Sequence, residues 1–501
     1  MRTLITATRR TVLVALGAVL LAAPAAAQTL RIGLQEDPDI LDPHEARTFV
    51  GRIAFASLCD KLIDTSPQLD FVPRLALSWS FSGDGKTMTM KLRQGVKFHD
   101  GTAFDAAAVK ANIERAVNLK TSRRKSELAS VEKVEVVDSM TVVFKLKAPD
   151  APLLAQLSDR AGMMLSPASF GQPVGPKPVC SGPYKFVERV QNDRIVLERF
   201  ADHWEKAEYA FDKVIFRIIP DTTVRLANLR SGQLDMLERL APSDVKSAKA
   251  DASLKVVSAV GLGYQGMTIN IGNGERGKTP LGQDRRIRQA LSLAIDRDAL
   301  NTVVFEGLYP PGIQPFPPAS PYVDRGYAVP KRDLAKAKAL LQQAGHARYA
   351  FEMQVANNPV QQQLAQVIQA MAAEAGFEVK IKATEFASLL KDQSAGNYDV
   401  SQIGWSGRVD PDGNLHQFVT TGGGINDSKY SNPAVDQAMN AARGVYDVAS
   451  RKKHYDAAMR ILREDLPIIY LYHPPWIWAM SVKLQGFVPH PDGMIRLPGV
   501  R

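Results

Sequence analysis

Between Phe351 and Trp405 the hydrophobic period of the sequence switches back and forth. Phe351 to Val355 alternates as a strand, Leu364, Val367, Ile368 and Met371 form a helical stripe closed by Gly376, and Phe377, Val379 and Ile381 alternate again. A helix from about Glu385 and a strand from Tyr398 to Trp405 extend the unit. Such alternation favours an α/β fold, a parallel or mixed sheet covered by helices. Open sheets of this kind bind ligands at the carboxyl ends of their strands, which places Trp405 through Asp412 in a prime position. Ile287, Ala290, Leu291, Ala294 and Ile295 line one face of a further helix, with Arg285, Arg288 and Gln289 on the other. Asp296 caps the next helix, which ends near Gly307.

The start of the chain follows another plan. Leu30, Ile32 and Leu34 alternate as a strand that stops at Glu36-Asp37-Pro38, because proline cannot join a ladder. Met88, Met90 and Leu92 alternate, as do Val134 to Val137 and Thr141 to Leu146, which meet at the turn Asp138-Ser139. Between these strands Asp105 can cap a helix carrying Val109, Ile113, Ala116 and Val117. The expectation is a strand-rich module over about 60–180. The Pro-rich stretch from Tyr309 to Pro321 is expected to be a stiff surface excursion.

Arg2, Arg9 and Arg10 precede an apolar run from Thr11 to Ala23, and Ala25-Ala26-Ala27 stand before Gln28, the order of a secretory signal peptide over 1–27 with cleavage after Ala27. General secretion is preferred to the twin-arginine route that Arg9-Arg10 also fits. No other stretch approaches the roughly 18 to 20 apolar residues of a spanning helix, so an exported, periplasmic protein is expected. Cys59 and Cys180 are the only cysteines, and in an oxidising compartment they either pair or stay buried, with pairing favoured. Two cysteines without C-x-x-C spacing argue against a zinc site, and neither metal nor cofactor is expected. With 45% hydrophobic and 23% charged residues the 501-residue chain is globular, long enough for two or three domains. The formal charge of +10 includes the three leader arginines. Ser122-Arg123-Arg124-Lys125 reads as solvated surface, so no nucleic-acid partner is expected.

Enzyme motifs fail on context. Gly272 to Thr279 fits G-x-x-x-x-G-K-T, but Pro280 and Gly282 follow, and the helix whose amides would face a phosphate begins only near Asp284. No G-x-S-x-G elbow or H-E-x-x-H helix is present. Asp410 and Asp412 flank Pro411 before Gly413, a tight-turn pattern. With Asn414 and His416 they lack the closing Glu of a calcium loop. A secreted hydrolase using Asp410 or Asp412 is the rival from another class.

Several stretches taken together resemble the family 5 extracellular solute-binding proteins, the peptide, nickel and glutathione receptors of ABC importers. They are LRIGLQEDPDILDPH, the run VPRLALSWSFSGDGKTMTMKLRQGVKFHDGTAFDAAAVKANIERA, SGPYKFVE, RLANLRSGQLDM, RRIRQALSLAIDRDAL and YDVSQIGW. The resemblance runs over almost the whole mature chain. It implies a two-lobed periplasmic-binding-protein fold, with the strand-rich module inserted in the first lobe. Lobe 1 is then 28–265 with 475–501 and lobe 2 is 266–474. The implied function is capture of a small polar solute between the lobes and its delivery to an inner-membrane ABC permease, by a monomer and without bond chemistry. A nickel or metal-chelate receptor is an alternative within the family.

The resemblance also supplies site residues. Peptide-binding members carry, after the Gly-Trp pair, an acid that receives the peptide's ammonium group. Here Gly404-Trp405 leads to Arg408, and a guanidinium cannot take an ammonium. Arg160 matches a cleft position that is an arginine in the nickel-binding member and an acid in a dipeptide-binding one. Two arginines facing one cleft imply a carboxylate-bearing ligand. The competing account pairs Arg408 with Asp410 or Asp412, and Arg160 at the surface among the neighbours of Asp159. Asp410 and Asp412, just beyond Arg408, are ligand-facing candidates as well, and Trp405, Tyr264, Gln265, Glu36 and Asp37 complete the set, Trp405 by stacking.

Overall fold

The structure, a computed structural model, describes residues 28–501, so the leader read at 1–27 lies outside the described residues. Two sheets organise the chain. The first has seven strands in the order Leu254–Ala259, Trp476–Ser481, Met236–Leu237, Thr29–Leu34, Lys213–Ile218, Arg194–Arg199, Tyr184–Val190. Thr29–Leu34 runs parallel to both neighbours, and its alternate residues Leu30, Ile32 and Leu34 are fully buried. The second has five strands, Phe377–Thr384, Tyr349–Ala356, Val400–Trp405, Tyr264–Ile269 and Ile468–Tyr472. Its first three strands are parallel and the last two antiparallel to their neighbours, the mixed sheet that the alternation implies. Asn358 caps the intervening helix Pro359–Glu374 by accepting from the Gln361 N–H at 3.1 Å, and Gly376 ends it at a φ of 103°.

The strand-rich module is a four-stranded antiparallel sheet of Ala76–Phe81, Thr87–Leu92, Thr141–Leu146 and Val131–Asp138. The helix Ala106–Asn118, capped by Asp105 at 2.8 Å to the Ala108 N–H, lays Val109, Ile113 and Ala116 on Met88, Met90, Val134 and Phe144. Cys59, at the end of the helix Phe49–Leu58, is disulfide-bonded to Cys180.

The chain leaves the first sheet after Ala259, enters the second at Tyr264, and returns between Tyr472 and Trp476. Tyr264 and Gln265, counted with the first lobe from sequence, pair in the second sheet with Trp405 and Gly404. The backbones meet closely here, since a Cβ on Gly263 would stand 1.8 Å from the Trp405 carbonyl oxygen. The phosphate-loop look-alike forms a single turn, Glu275–Lys278, and Lys278 points to solvent onto Glu275. The Pro-rich stretch is not a surface excursion. Phe316 is buried among Tyr322, Leu415 and Tyr455, because proline bars a strand but not packing of the residues beside it.

Candidate functional site

Between the two sheets lies a cleft with two connected chambers, containing about 810 and 920 Å³ of space free of atoms, part of it open to solvent. Phe49, Phe386, Gly404, Trp405 and Ser406 border both. The strand Val400–Trp405 delivers Trp405 to the middle of the cleft, at its carboxyl end as the α/β rule requires. Phe418 meets the indole edge-on at 4.9 Å, and the buried Nε1 has no hydrogen-bond partner among the described residues. From the other sheet, Phe49 stacks on Trp476 at 4.3 Å.

The first chamber is rich in arginine. Thr48 caps the helix Phe49–Leu58, with its hydroxyl 3.3 Å from the Gly51 nitrogen, and so fixes Arg47 and Phe49 at the wall. Arg47 reaches across the cleft to Asp427 at 2.6 Å and to the Ser394 hydroxyl at 2.6 Å. Arg124 pairs with Glu127, and Arg124 and Arg160 both donate to the Ala46 carbonyl, at 3.2 and 2.6 Å. Arg160 is 1% exposed, and among the described residues it makes no salt bridge and its Nε has no hydrogen-bond partner. Burial first, and then the charges of Arg124 and Arg408, push its pKa well below the usual guanidinium range.

The competing account of the two arginines is therefore corrected. Arg160 is not at the surface. Arg408 pairs with neither Asp410 nor Asp412: its Nε lies 2.5 Å from Asp159, which comes from the first lobe and is also held by Arg52 at 3.0 Å. The Arg408 guanidinium lies 4.1 Å from the centroid of Trp405, and burial, with Arg52 nearby, pushes its pKa down to about 9. It stands behind Trp405 and does not border either chamber.

Asp410 and Asp412 are likewise removed from the ligand-facing set, and from any acid–base role. Asp410 accepts two bonds from Arg451 at 2.7 Å each, and Asp412 accepts two from Arg443 at 2.8 and 2.7 Å. Bidentate pairs of this kind consume both oxygens. Arg443 also donates to the Ser126 carbonyl across the cleft at 3.2 Å, so Asp412 positions an inter-lobe contact.

Tyr264 and Arg160 border the first chamber, and Gln265 and Glu36 the second. Glu36 is paired with Arg239 at 2.9 Å; burial raises its pKa and Arg239 opposes the rise. Asp37 is tied to Arg189 at 2.9 Å, outside both chambers. Sequence reasoning missed Arg47, Phe49, Phe386 and Asp427, which lie in loops or at helix ends without periodicity. Arg124 carried a signal, the basic run 122–125, and was assigned to solvent; it is 2% exposed.

Two lobes joined by paired crossings, with a charged cleft between them, define a solute-binding protein. The family described as bacterial extracellular solute-binding proteins, family 5 (middle), matches residues 70–426, and the chain belongs to it. Members are binding proteins of ABC importers and not enzymes. A glutathione-binding protein, GsiB of Pectobacterium atrosepticum, is 30% identical over 469 residues, covering 90% of each chain. The periplasmic binding protein DppA of Helicobacter pylori, in complex with the peptide STSA, superposes with a TM-score of 0.87 at 25% identity, over 94% of this chain and 97% of that one. AgaA from A.tumefacien R10, in complex with agropinic acid, gives 0.84 at 27% identity over 94% and 98%.

Proposed function

We propose that this protein is the periplasmic, monomeric receptor of an ABC importer for a small solute carrying at least one carboxylate, which it hands to an inner-membrane permease. In this reading residues 1–27 are the leader, and the lobes divide at the crossings near 260–265 and 473–475. The observation that carries it is Arg160, a buried guanidinium bordering the first chamber that makes no salt bridge among the described residues, the nearby Asp159 being held by Arg52 and Arg408. Around it Arg47 is matched by Asp427 and Arg124 by Glu127, while Arg52 and Arg408 share Asp159, so positive charge is in excess. An unpaired buried charge is costly, and a carboxylate in the cleft would relieve it. Glutathione, with two carboxylates and one ammonium, has the matching balance, and receptors for it are among the relatives.

Calorimetric titration of wild type and Arg160→Met with glutathione, glutarate and glutaramide tests the reading. Binding of the acids and not of the diamide, weakened roughly ten-fold or more in R160M, is expected. Equal binding of glutaramide, or acid binding indifferent to R160M, overturns it.

A further inference from the structure

Resting on that reading, we infer that the second chamber is a neutral subsite for a part of the solute that presents a hydrogen-bond donor and an acceptor on adjacent atoms, an amide unit or a vicinal diol. Gln402 carries the argument. It lies inside the strand Val400–Trp405, between Met267 and Val355 on the flanking strands, borders the second chamber and is 2% exposed. Among the described residues neither its Nε2 nor its Oε1 has a partner, whichever way the amide is turned. A buried amide left unpaired carries a desolvation cost that an apolar side chain of the same size would not carry. Gln361, at the first turn of the helix Pro359–Glu374, adds a second unpartnered amide oxygen to the same chamber.

Among the described residues the charges that line the chamber, Glu36 and Arg239, are paired with each other. Arg239 is held by Glu36 at 2.9 Å and by Glu238 at 2.6 Å. The Phe49–Trp476 stack, Tyr309 and Tyr472 supply rings to a wall that also holds aliphatic residues and the amides of Gln35 and Asn358. Amide side chains set among rings suit a group that is uncharged, polar at its edge and apolar on its face. Because Trp405 and Ser406 border both chambers, one solute can set its carboxylate against Arg160 and its neutral part against Gln402.

The test titrates wild type, Gln402→Met and Gln361→Met with glutarate (carboxylates alone), glutathione (carboxylates with amide units) and gluconate (a carboxylate with diols). Thermal melts check that each variant folds, and Q361M, at a less buried position, answers if Q402M does not fold. Selective weakening of glutathione or gluconate, roughly ten-fold or more with glutarate unmoved, supports the subsite. Which of the two responds tells amide from diol. Equal weakening of all three ligands, or none, overturns the subsite while leaving the carboxylate reading standing. Failure of every acid to bind wild type overturns both.

Discussion

Asp159 holds two guanidiniums that arrive from opposite sides of the cleft, Arg52 at 3.0 Å and Arg408 at 2.5 Å. Burial alone would raise its pKa, but Arg408, Arg52 and Arg160 outweigh burial and hold it well below the usual carboxylate range. Replacing it with Asn keeps the shape and leaves two buried cations without their anion, which costs about 3–5 kcal/mol. Because the folded pKa is depressed, this contribution is complete above the unfolded value near 4 and is lost only as pH falls below it. Urea unfolding of Asp159→Asn should therefore give the same deficit at pH 8 and pH 5, and a deficit under about 1 kcal/mol would show the pair to be dispensable. At this scale the sequence is legible in part. Trp405 and Arg160 border the cleft, but the partner of Arg408 lies far back in the chain. Spacing reports neighbours along an element and carries nothing about pairs that only the fold brings together.

The elements follow from their periods. The helices Ala106–Asn118, Arg285–Ala294 and Pro359–Glu374 fall where the stripes place them, with caps at Asp105, Asp284 and Asn358. Tyr309 to Pro321 was misjudged because proline content reports backbone hydrogen bonding and says nothing of burial. Between elements, the Cys59–Cys180 bond ties the helix Phe49–Leu58 to the end of the strand-rich module, closing a loop with a sequence separation of 121. Constraining so long a loop in the unfolded chain is worth about 2–5 kcal/mol. A Cys59→Ala/Cys180→Ala double variant should lose that much in urea unfolding without reductant, while its solute affinity stays within about two-fold, since neither cysteine borders a chamber. Unchanged stability would mean that the bond constrains little.

On the scale of the whole molecule, the two-lobed class is legible because it rests on many motifs in order, whereas lobe contact is not. Arg47–Asp427 at 2.6 Å and the Ala151 N–H to the Arg443 carbonyl at 2.9 Å join segments that no local pattern connects. The response of the assembled protein to acid follows from its buried histidines. Burial, with Arg115 and Arg124 alongside and Asp42 opposing, depresses the pKa of His44 to about 3. His99, His473 and His490 are depressed to about 4, chiefly by burial. All four stay neutral in the native protein above those values, while in the unfolded chain they titrate near 6.5. Between pH 6.5 and 4 the unfolded state binds protons that the native state refuses, so stability falls as pH falls. Raised carboxyls act in the other direction, Asp150 and Glu36 being the most buried of them. Asp150 is raised to about 6 by burial, with Ser130 and Arg443 opposing, and Glu36 is raised by burial; both take protons in the native state first. The depressed histidines outnumber the raised carboxyls, so unfolding takes up protons on balance and stability falls from pH 6 to pH 5. Calorimetric unfolding in buffers of different ionisation enthalpy counts these protons directly, and stability that rises from pH 6 to pH 5 would mean that the buried carboxyls, not the histidines, set the acid response.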